Sequence, residues 1–223
     1  MNLNKVIDTK YKIEVVSSIF TVDKGVFKVL LIKSDNKEDD KWSLVNGDVR
    51  NDETFDEAML RIIKEKTNIP LVQLISSNNY SSVDRKPLSR VVAISYIGIV
   101  DIKTANLIVK SSCYDNVLWF SINDIPELAY DYNEILTDAI NLLKKRVLSS
   151  DILRSLYPDG FTLPEMQKVY EAILNKELDR RNFRKRMLNL GLINDTGEMA
   201  RFEGNKLAKL YKFNDKIDDK NVF

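Results

Sequence analysis

The sequence contains no histidine and a single cysteine, Cys113. One cysteine excludes an intramolecular disulfide framework, and the lack of histidine argues against a zinc site built from cysteine and histidine. A chain of 223 residues without either kind of crosslink must be held together by its apolar core. Its 44% hydrophobic content is enough for one large domain or two small ones.

Long hydrophobic runs are also missing. No apolar run approaches the roughly 20 residues that a membrane helix needs. The first twenty residues carry five charges instead of the apolar segment of a signal peptide, namely Lys5, Asp8, Lys10, Lys12 and Glu14. We therefore expect a cytoplasmic protein without a membrane partner.

The chain as a whole has almost no excess of one charge sign, but its C-terminal segment does. The net charge is only +1, and residues 1–148 hold 20 basic and 21 acidic side chains. Residues 180–212 instead hold 9 basic and 3 acidic side chains. This local excess of positive charge predicts a polyanionic partner for the C-terminal segment.

The first 148 residues have the pattern of an α/β domain. Strands are predicted from their β-branched and apolar content at residues 12–20, 26–32, 42–45, 71–75, 90–100, 107–110 and 117–120. The first two form a hairpin about Asp23-Lys24-Gly25, and residues 78–89 form a polar loop. Apolar residues return to helical spacing from Tyr130, and that helix ends in Lys144, Lys145 and Arg146.

A glycine loop at Gly47 leads into an amphipathic helix. Its apolar stripe consists of Phe55, Ala58, Met59, Ile62 and Ile63. Glu57, Arg61 and Glu65 follow one another at intervals of four on the other side. This charged stripe is either a ligand-binding surface or a row of surface ion pairs.

Residues 149–223 are predicted to form a separate winged-helix domain. Thr162 and Glu165 have the spacing of a capping box at the start of one helix, and a second helix runs from Asp179 to Leu190. Two extended segments, residues 192–194 and 207–213, follow as a two-stranded wing. Helix, turn, helix and wing is the outline of a DNA-binding module.

The second of these helices carries the residues expected to contact DNA. They are Arg180, Arg181, Asn182, Arg184 and Lys185 on the helix, with Lys206 and Lys209 on the wing. Arginine pairs bidentately with guanine and asparagine with adenine, and lysines beside the groove suit phosphates. A solvated basic helix on an ordinary domain is the alternative.

Residues 47–69 resemble the Nudix box. Six residues fall on its pattern: Gly47, Glu53, Arg61, Ile63, Glu65 and Ile69. Ile62 and Lys66 stand where the family has metal-binding glutamates, and Asn68 replaces the closing glycine. In Nudix hydrolases those glutamates hold magnesium against a diphosphate. The three metal-binding glutamates of the family correspond to positions 62, 65 and 66, and only Glu65 is present here. We therefore expect no metal, no cofactor and no hydrolase activity.

Further landmarks resemble those of the Nudix-related transcriptional regulators. They are Ser82-Val-Asp-Arg-Lys-Pro87, Arg90-Val-Val-Ala-Ile-Ser-Tyr96, Trp119-Phe120, Leu128-Ala-Tyr-Asp-Tyr-Asn-Glu-Ile135, Phe161-Thr-Leu-Pro-Glu-Met-Gln167, Leu178-Asp-Arg-Arg-Asn-Phe-Arg184 and Ala208-Lys-Leu-Tyr-Lys-Phe213. The resemblance implies a Nudix-like α/β/α sandwich followed by a winged helix-turn-helix domain. It also implies a homodimer on a palindromic operator, controlled by ADP-ribose, an NAD-related compound or a sugar such as arabinose.

The effector is expected to contact six charged residues: Glu53, Arg61, Glu65, Asp84, Arg85 and Arg90. The family's wing often carries an arginine-proline pair where this chain has Lys206-Leu207, so the bidentate fork of arginine is lost there. One alternative is a working Nudix hydrolase of ADP-ribose or another nucleoside diphosphate derivative. Another is a ligand-binding module whose basic segment contacts RNA or protein.

Overall fold

The computed structural model describes residues 11–33, 41–69, 73–87, 89–101, 116–148, 151–202, 204 and 206–214. The strands of its N-terminal part are β1 Lys12–Asp23, β2 Val26–Lys33, β3 Trp42–Ser43, β4 Val45–Asp48, β5 Gln73–Tyr80, β6 Val91–Ile99 and β7 Val117–Ser121. The helices of this part are α1 Phe55–Thr67 and α2 Tyr132–Arg146. The C-terminal part comprises a 3-10 turn Arg154–Leu156, β8 Phe161–Thr162, α3 Leu163–Leu174, α4 Arg180–Asn189, β9 Ile193–Phe202 and β10 Lys206–Phe213.

The N-terminal strands form one mixed sheet with β1 at its centre. Strand β1 pairs in parallel with β6 and antiparallel with β2 and β4. Successive side chains of β1 point to opposite faces. Val15 and Ile19 pack in a core with α1, whereas Val16 and Phe20 pack in a core with α2. One helix on each face of the sheet confirms the predicted α/β/α sandwich.

The predicted hairpin at the start of the chain is confirmed. Lys24 and Gly25 turn the chain with φ angles of 50° and 79°, which glycine adopts at little cost. The register then pairs Asp23 with Val26 and Phe20 with Val29. Both strands extend slightly beyond their predicted ends.

The predicted winged helix is also confirmed. The Thr162 hydroxyl accepts a hydrogen bond from the Glu165 amide, and the Glu165 carboxylate accepts one from the Thr162 amide, so α3 begins in a capping box. Asp179 caps α4 through the Asn182 amide. The sheet of this part has the order β8-β10-β9.

Two strands are longer than predicted. Residues 78–80 belong to β5 and not to the predicted polar loop, and a register shift between Ser76 and Asn79 accommodates them. A strand that pairs on one side tolerates such polar residues and bulges. The first strand of the wing likewise runs to Phe202, although the prediction ended it at residue 194. Gly197 lies within that strand.

The apolar stripe of α1 was predicted one residue too long. Phe55 is 42% exposed, and the buried residues of the helix begin at Ala58. The predicted strand at residues 107–110, Cys113 and residues 34–40 lie outside the described residues.

A continuous apolar core connects the two parts of the chain. On the α2 side of the sheet, the core of Leu136 and Leu143 continues through Val147 and Leu153 to Phe161. Residues of α3 and α4 complete it. Across the described ranges, we find no helix that is long and apolar enough to cross a membrane.

Candidate effector site and nucleic-acid interface

Helix α1 begins in a capping box that uses one of its predicted charged residues. Glu57 accepts hydrogen bonds of 2.8 Å from both the amide and the hydroxyl of Thr54. These hydrogen bonds lower the pKa of Glu57. Glu57 and Glu65 are exposed on α1 as the predicted stripe requires, but Glu57 caps the helix, and the ion pair within the stripe joins Arg61 to Glu65.

Arg61 is the centre of an ion-pair network on α1. Its guanidinium binds both carboxylate oxygens of Glu53, with an Nε to Oε2 distance of 2.8 Å, and donates to the Asp48 carbonyl at 3.1 Å. It also reaches Glu65 at 3.1 Å. The hydrogen bond from Arg61 lowers the pKa of Glu53 to about 2, and the same bond raises the pKa of Arg61. The structure thus brings Glu53, Arg61 and Glu65 together.

The residues around this network do not fit a magnesium site. Ile62, at the place of a family glutamate, is 2% exposed. It packs so closely beneath Gly47 that a Cβ on that glycine would lie 2.7 Å from the Ile62 Cδ1. Hydrocarbon therefore fills the position of the missing carboxylate. In the described part of the chain, no group of three or more potential metal ligands occurs.

The predicted effector residues of the loop at residues 81–87 lie on the opposite face of the sheet. Arg85 has no exposed side-chain surface and binds both carboxylate oxygens of Asp131 at 2.8 and 2.9 Å. Its third contact is Glu14 of β1 at 2.9 Å. Burial alone lowers the pKa of Arg85, but the hydrogen bonds to Asp131 and Glu14 outweigh it and raise the pKa. Arg85 is therefore not open to an effector in this conformation.

Glu14 completes a buried cluster that the sequence analysis missed. It also accepts hydrogen bonds from Lys86 at 2.6 Å and from the Tyr132 hydroxyl at 2.8 Å. Glu14 is only 1% exposed, and a buried carboxylate needs such partners. The available signal was an acid between Ile13 and Val15 in β1, although its partners Arg85 and Tyr132 lie 71 and 118 residues away.

Asp84 lies in the same loop and Arg90 lies just beyond it. Asp84 is exposed, and Arg90 donates from one nitrogen to the carbonyls of Ser81 and Ser82 at 2.7 Å. A cleft of about 540 Å³ lies between this loop and the N-terminus of α2. The six predicted effector residues are therefore split into two groups: Glu53, Arg61 and Glu65 lie in the ion-pair network at α1, and Asp84, Arg85 and Arg90 lie in or beside this loop.

Helix α4 presents a basic surface on an apolar base. Phe183 and Met187 are buried, and the Phe183 ring meets Tyr170 of α3 edge-on at 5.2 Å. The predicted DNA-contacting residues of α4 are all exposed: Arg180, Arg181, Asn182, Arg184 and Lys185. No ion pair within the described ranges engages these four cations. The neighbouring Arg186 instead donates to the Leu148 carbonyl at 3.3 Å.

The two predicted lysines of the wing differ from each other. Lys206 is exposed at the start of β10. Lys209 donates to Asp195 of the neighbouring strand at 2.7 Å, which raises the pKa of Lys209 and lowers that of Asp195. Lys209 must leave this ion pair before it can contact a phosphate with its full charge.

Family models match both parts of the chain. Residues 12–139 match the NUDIX domain, and residues 153–213 match the NrtR DNA-binding winged helix domain. A curated relative, the ADPR responsive transcriptional repressor NtrR of Acinetobacter baylyi, is 28% identical over 201 residues, covering 88% of this chain and 79% of that protein. An ADP-ribose pyrophosphatase of Methanocaldococcus jannaschii is 35% identical over 113 residues, covering 50% of this chain and 64% of that protein.

A solved structure extends the likeness to the complete arrangement of elements. The crystal structure of Shewanella oneidensis NrtR complexed with a 27mer DNA is similar with a TM-score of 0.80 and 27% identity, covering 91% of this chain and 93% of that one. The likeness to that structure covers both the part that matches the NUDIX domain and the part that matches the winged helix domain. The chain belongs to the Nudix-related transcriptional regulators, in which a Nudix domain precedes an NrtR DNA-binding winged helix.

Proposed function

We propose that this protein is a transcription regulator that binds an operator through α4 and the wing and responds to ADP-ribose or an NAD-related metabolite. The observation that carries the proposal is the exposed basic face of α4, held on Phe183 and Met187. The likeness to an ADPR responsive repressor and to a DNA-bound NrtR supports it. Residues 1–148 act as the effector domain and residues 149–223 as the DNA-binding domain.

On DNA, α4 enters the major groove with its N-terminal half. Arg181 and Asn182 read base edges, because their side chains form bidentate pairs with guanine and adenine. Arg180, Arg184 and Lys185 then lie near the backbone, where Lys206 of the wing adds a phosphate contact. Lys209 contributes after it exchanges Asp195 for a phosphate.

A single winged helix reads only one half-site. We infer that two copies form a homodimer on a palindromic operator in the cytoplasm. Effector binding then changes the spacing of the two α4 helices and with it the affinity for the operator. Sugars such as arabinose are the second effector class to be tested.

The Nudix domain is used for sensing and not for hydrolysis. Ile62 fills with hydrocarbon the place of one metal-binding glutamate, and Lys66 places an ammonium group where another belongs. A lysine about 4 Å from a divalent cation is repelled by on the order of 8 kcal/mol at an effective dielectric constant near 20. The 35% identity to an ADP-ribose pyrophosphatase makes hydrolysis of ADP-ribose the second candidate.

DNA binding is tested by fluorescence anisotropy with fragments from upstream of the protein's own gene. The logarithm of the affinity is expected to fall steeply with the logarithm of the salt concentration. ADP-ribose, NAD, arabinose and xylose are then added in turn, and one of them is expected to change the affinity. Binding that is absent or insensitive to salt contradicts the proposal.

Effector binding is tested separately by thermal unfolding. A ligand at one hundred times its Kd adds about 2.7 kcal/mol of stability, so the effector is recognised by its shift of the midpoint. Release of AMP from ADP-ribose in the presence of Mg²⁺ tests the second candidate. Turnover that disappears in Glu65→Gln supports the hydrolase over the regulator.

A further inference from the structure

A small apolar recess opens between α4, the second half of α3 and the residue that follows α2. Its volume is about 160 Å³. Most of its wall is hydrocarbon, contributed by side chains from four separate segments: Leu148, Tyr170, Leu174, Leu178, Met187 and Leu190. Met187 is buried, whereas the leucines are half-buried or exposed, so they leave apolar surface open to solvent. The recess lies directly beside the helix that carries the basic face.

The size of the recess matches a single aromatic ring. An engineered cavity of about 150 Å³ lined by leucine, isoleucine and phenylalanine stays dry and binds benzene. This recess has a similar volume and the same kind of wall, to which Phe183 and Tyr170 add aromatic surface. Because Leu148 on its wall is exposed, the recess is open on one side. A ring that fills it therefore favours a polar group at its solvent end.

A positive charge lies at the rim of the recess. Arg186 is exposed and donates from Nη2 to the Leu148 carbonyl at 3.3 Å. Throughout the part of the chain that the structure describes, no carboxylate forms an ion pair with it. Burial raises the pKa of Tyr170 to about 12, and the nearby charge of Arg186 opposes this rise. Asp179 also lines the recess, but its carboxylate accepts the Asn182 amide at 2.8 Å as the cap of α4.

We propose that this recess binds a small aromatic carboxylate, whose ring lies among the leucines while its carboxylate pairs with Arg186. The ring suits the volume and the hydrocarbon wall, and the carboxylate suits the guanidinium, which binds such groups through two parallel hydrogen bonds. A nucleotide or a sugar does not fit the same wall, because its polar groups would be buried without partners. The site thus differs in place and in chemistry from the clefts of the Nudix domain.

Occupancy of the recess is expected to weaken operator binding. Asn182, which is proposed to pair with adenine, also lines the recess. Arg186 follows it by four residues on α4, and side chains at this spacing are neighbours on a helix. A carboxylate on Arg186 therefore lies within reach of the Asn182 amide, which is then not available to a base. This consequence rests on the proposed function, whereas binding of the carboxylate itself does not.

Binding is tested by titrating the full chain with sodium benzoate while methyl resonances are followed by NMR. The methyl signals of Leu148, Leu174 and Met187 are expected to shift together and to saturate with a Kd on the order of 1 mM, which suits a ligand of this size. Benzamide keeps the ring without the charge and is expected to bind about 5-fold more weakly. Acetate keeps the charge without the ring and is expected to bind at least about 10-fold more weakly.

Two variants of the recess are each paired with a control. Arg186→Gln is expected to weaken benzoate binding about 5-fold and to leave benzamide binding unchanged, because only benzoate uses the charge. Lys145→Gln removes an exposed cation of α2 that does not line the recess, and it is expected to bind both ligands as the wild type does.

Leu148→Ala opens the wall and is expected to weaken the binding of both ligands about 3-fold. Leu188→Ala removes an exposed leucine of α4 outside the recess and is expected to have no effect. All four side chains that are replaced are exposed, so the variants are expected to fold.

The effect on DNA is measured by anisotropy titrations of the operator with saturating benzoate and with the same concentration of acetate, which controls for ionic strength. Benzoate is expected to weaken operator binding about 5-fold relative to acetate, at the lower end of the usual coupling between two sites. The effect is expected to shrink in Arg186→Gln.

The possible failures are distinguishable. Methyl signals of the recess that do not shift, or equal benzoate affinity in Arg186→Gln and wild type, overturn the site. Unchanged operator affinity with benzoate bound overturns the link to Asn182. A wild-type chain that binds no DNA contradicts the proposed function, but the NMR titration still decides whether the recess binds benzoate.

Discussion

Helices α1 and α4 both carry arginines beside acidic or polar neighbours, yet they use them in opposite ways. On α1, Arg61 binds Glu53, Glu65 and the Asp48 carbonyl within its own domain. On α4, Arg181 and Arg184 extend into solvent. A positive charge that already has carboxylate partners gains little from a polyanion, whereas an exposed one is available to release counterions from DNA.

The difference also shows in the apolar side of each helix. On α1, Ile62 packs into the space beneath the Gly47 loop. On α4, Phe183 and Met187 fix the helix and leave the basic face unchanged. The apolar side of α1 thus closes the Gly47 loop, whereas the apolar side of α4 supports an exposed basic face.

The largest effect is expected from Ile62→Glu, which restores a family glutamate. Because Ile62 is 2% exposed, the carboxylate enters apolar surroundings, and the free energy of unfolding falls by at least about 3 kcal/mol. Urea denaturation measures the loss. Lys64→Glu places the same group on the exposed side of α1 and is expected to change stability by less than about 0.5 kcal/mol. A stable Ile62→Glu protein that hydrolyses ADP-ribose with Mg²⁺ contradicts this account of α1.

A double substitution on α4, Arg181→Ala with Arg184→Ala, is expected to weaken operator binding about 100-fold, since each lost contact removes 1–3 kcal/mol. The slope of log affinity against log salt becomes shallower by about 1 for each of the two charges that contacts a phosphate. Anisotropy titrations at several salt concentrations give both quantities. Lys64→Ala removes an exposed charge from α1 and is the control, with no expected change. An equal loss of operator affinity in the α4 double variant and in Lys64→Ala would contradict the view that α4, and not α1, contacts DNA.

A smaller effect concerns the pH dependence of the α1 network. The pKa of Glu53 is about 2 in the folded protein and 4.5 ordinarily. Its ionised form therefore stabilises the fold above pH 4.5, and this contribution is lost as the pH falls toward 2. The free energy of unfolding of Glu53→Gln is expected to be lower than that of the wild type at pH 7. The difference is expected to shrink progressively as the pH falls below 4.5. Glu177→Gln, at an exposed glutamate, is expected to show no such convergence.

The smallest effect is expected on the wing. Asp195→Asn removes the carboxylate that holds Lys209 at 2.7 Å, so operator affinity is expected to rise about 3-fold, the size of an exposed ion pair. Asp124→Asn removes an acid outside the wing and controls for net charge. Lower affinity of Asp195→Asn than of the control would mean that the ion pair positions Lys209 for DNA.

Local signals in the sequence were sufficient to predict where the helices begin. The Thr162 capping box and the Asp179 cap are each contained within four residues, so the starts of α3 and α4 are read directly. Strand ends were predicted less well. Ser76, Ser77, Asn78 and Asn79 lack the alternation of a half-buried strand. They lie in β5 because Ser76 and Asn79 pair with β6 on the two sides of a register shift.

The candidate sites were harder still to predict from the sequence, because they depend on residues far apart in the chain. The exposed basic face of α4 follows from the spacing of Phe183 and Met187 within one helix. The division of the effector residues into two groups does not, because it depends on pairs such as Glu14 with Arg85, which are 71 residues apart. Spacing along the chain does not show which face of a distant strand a loop will cover.

The continuous core on the α2 side of the sheet has a mechanical consequence. Hydrocarbon from Val147, Ile152, Leu153 and Phe161 fills the space between the two modules, and closely packed interiors compress very little. Strain on one side of this joint is therefore transmitted to the other side instead of being absorbed by compression of the core. The two modules therefore resist separation, because opening the joint between them would expose these four side chains to water.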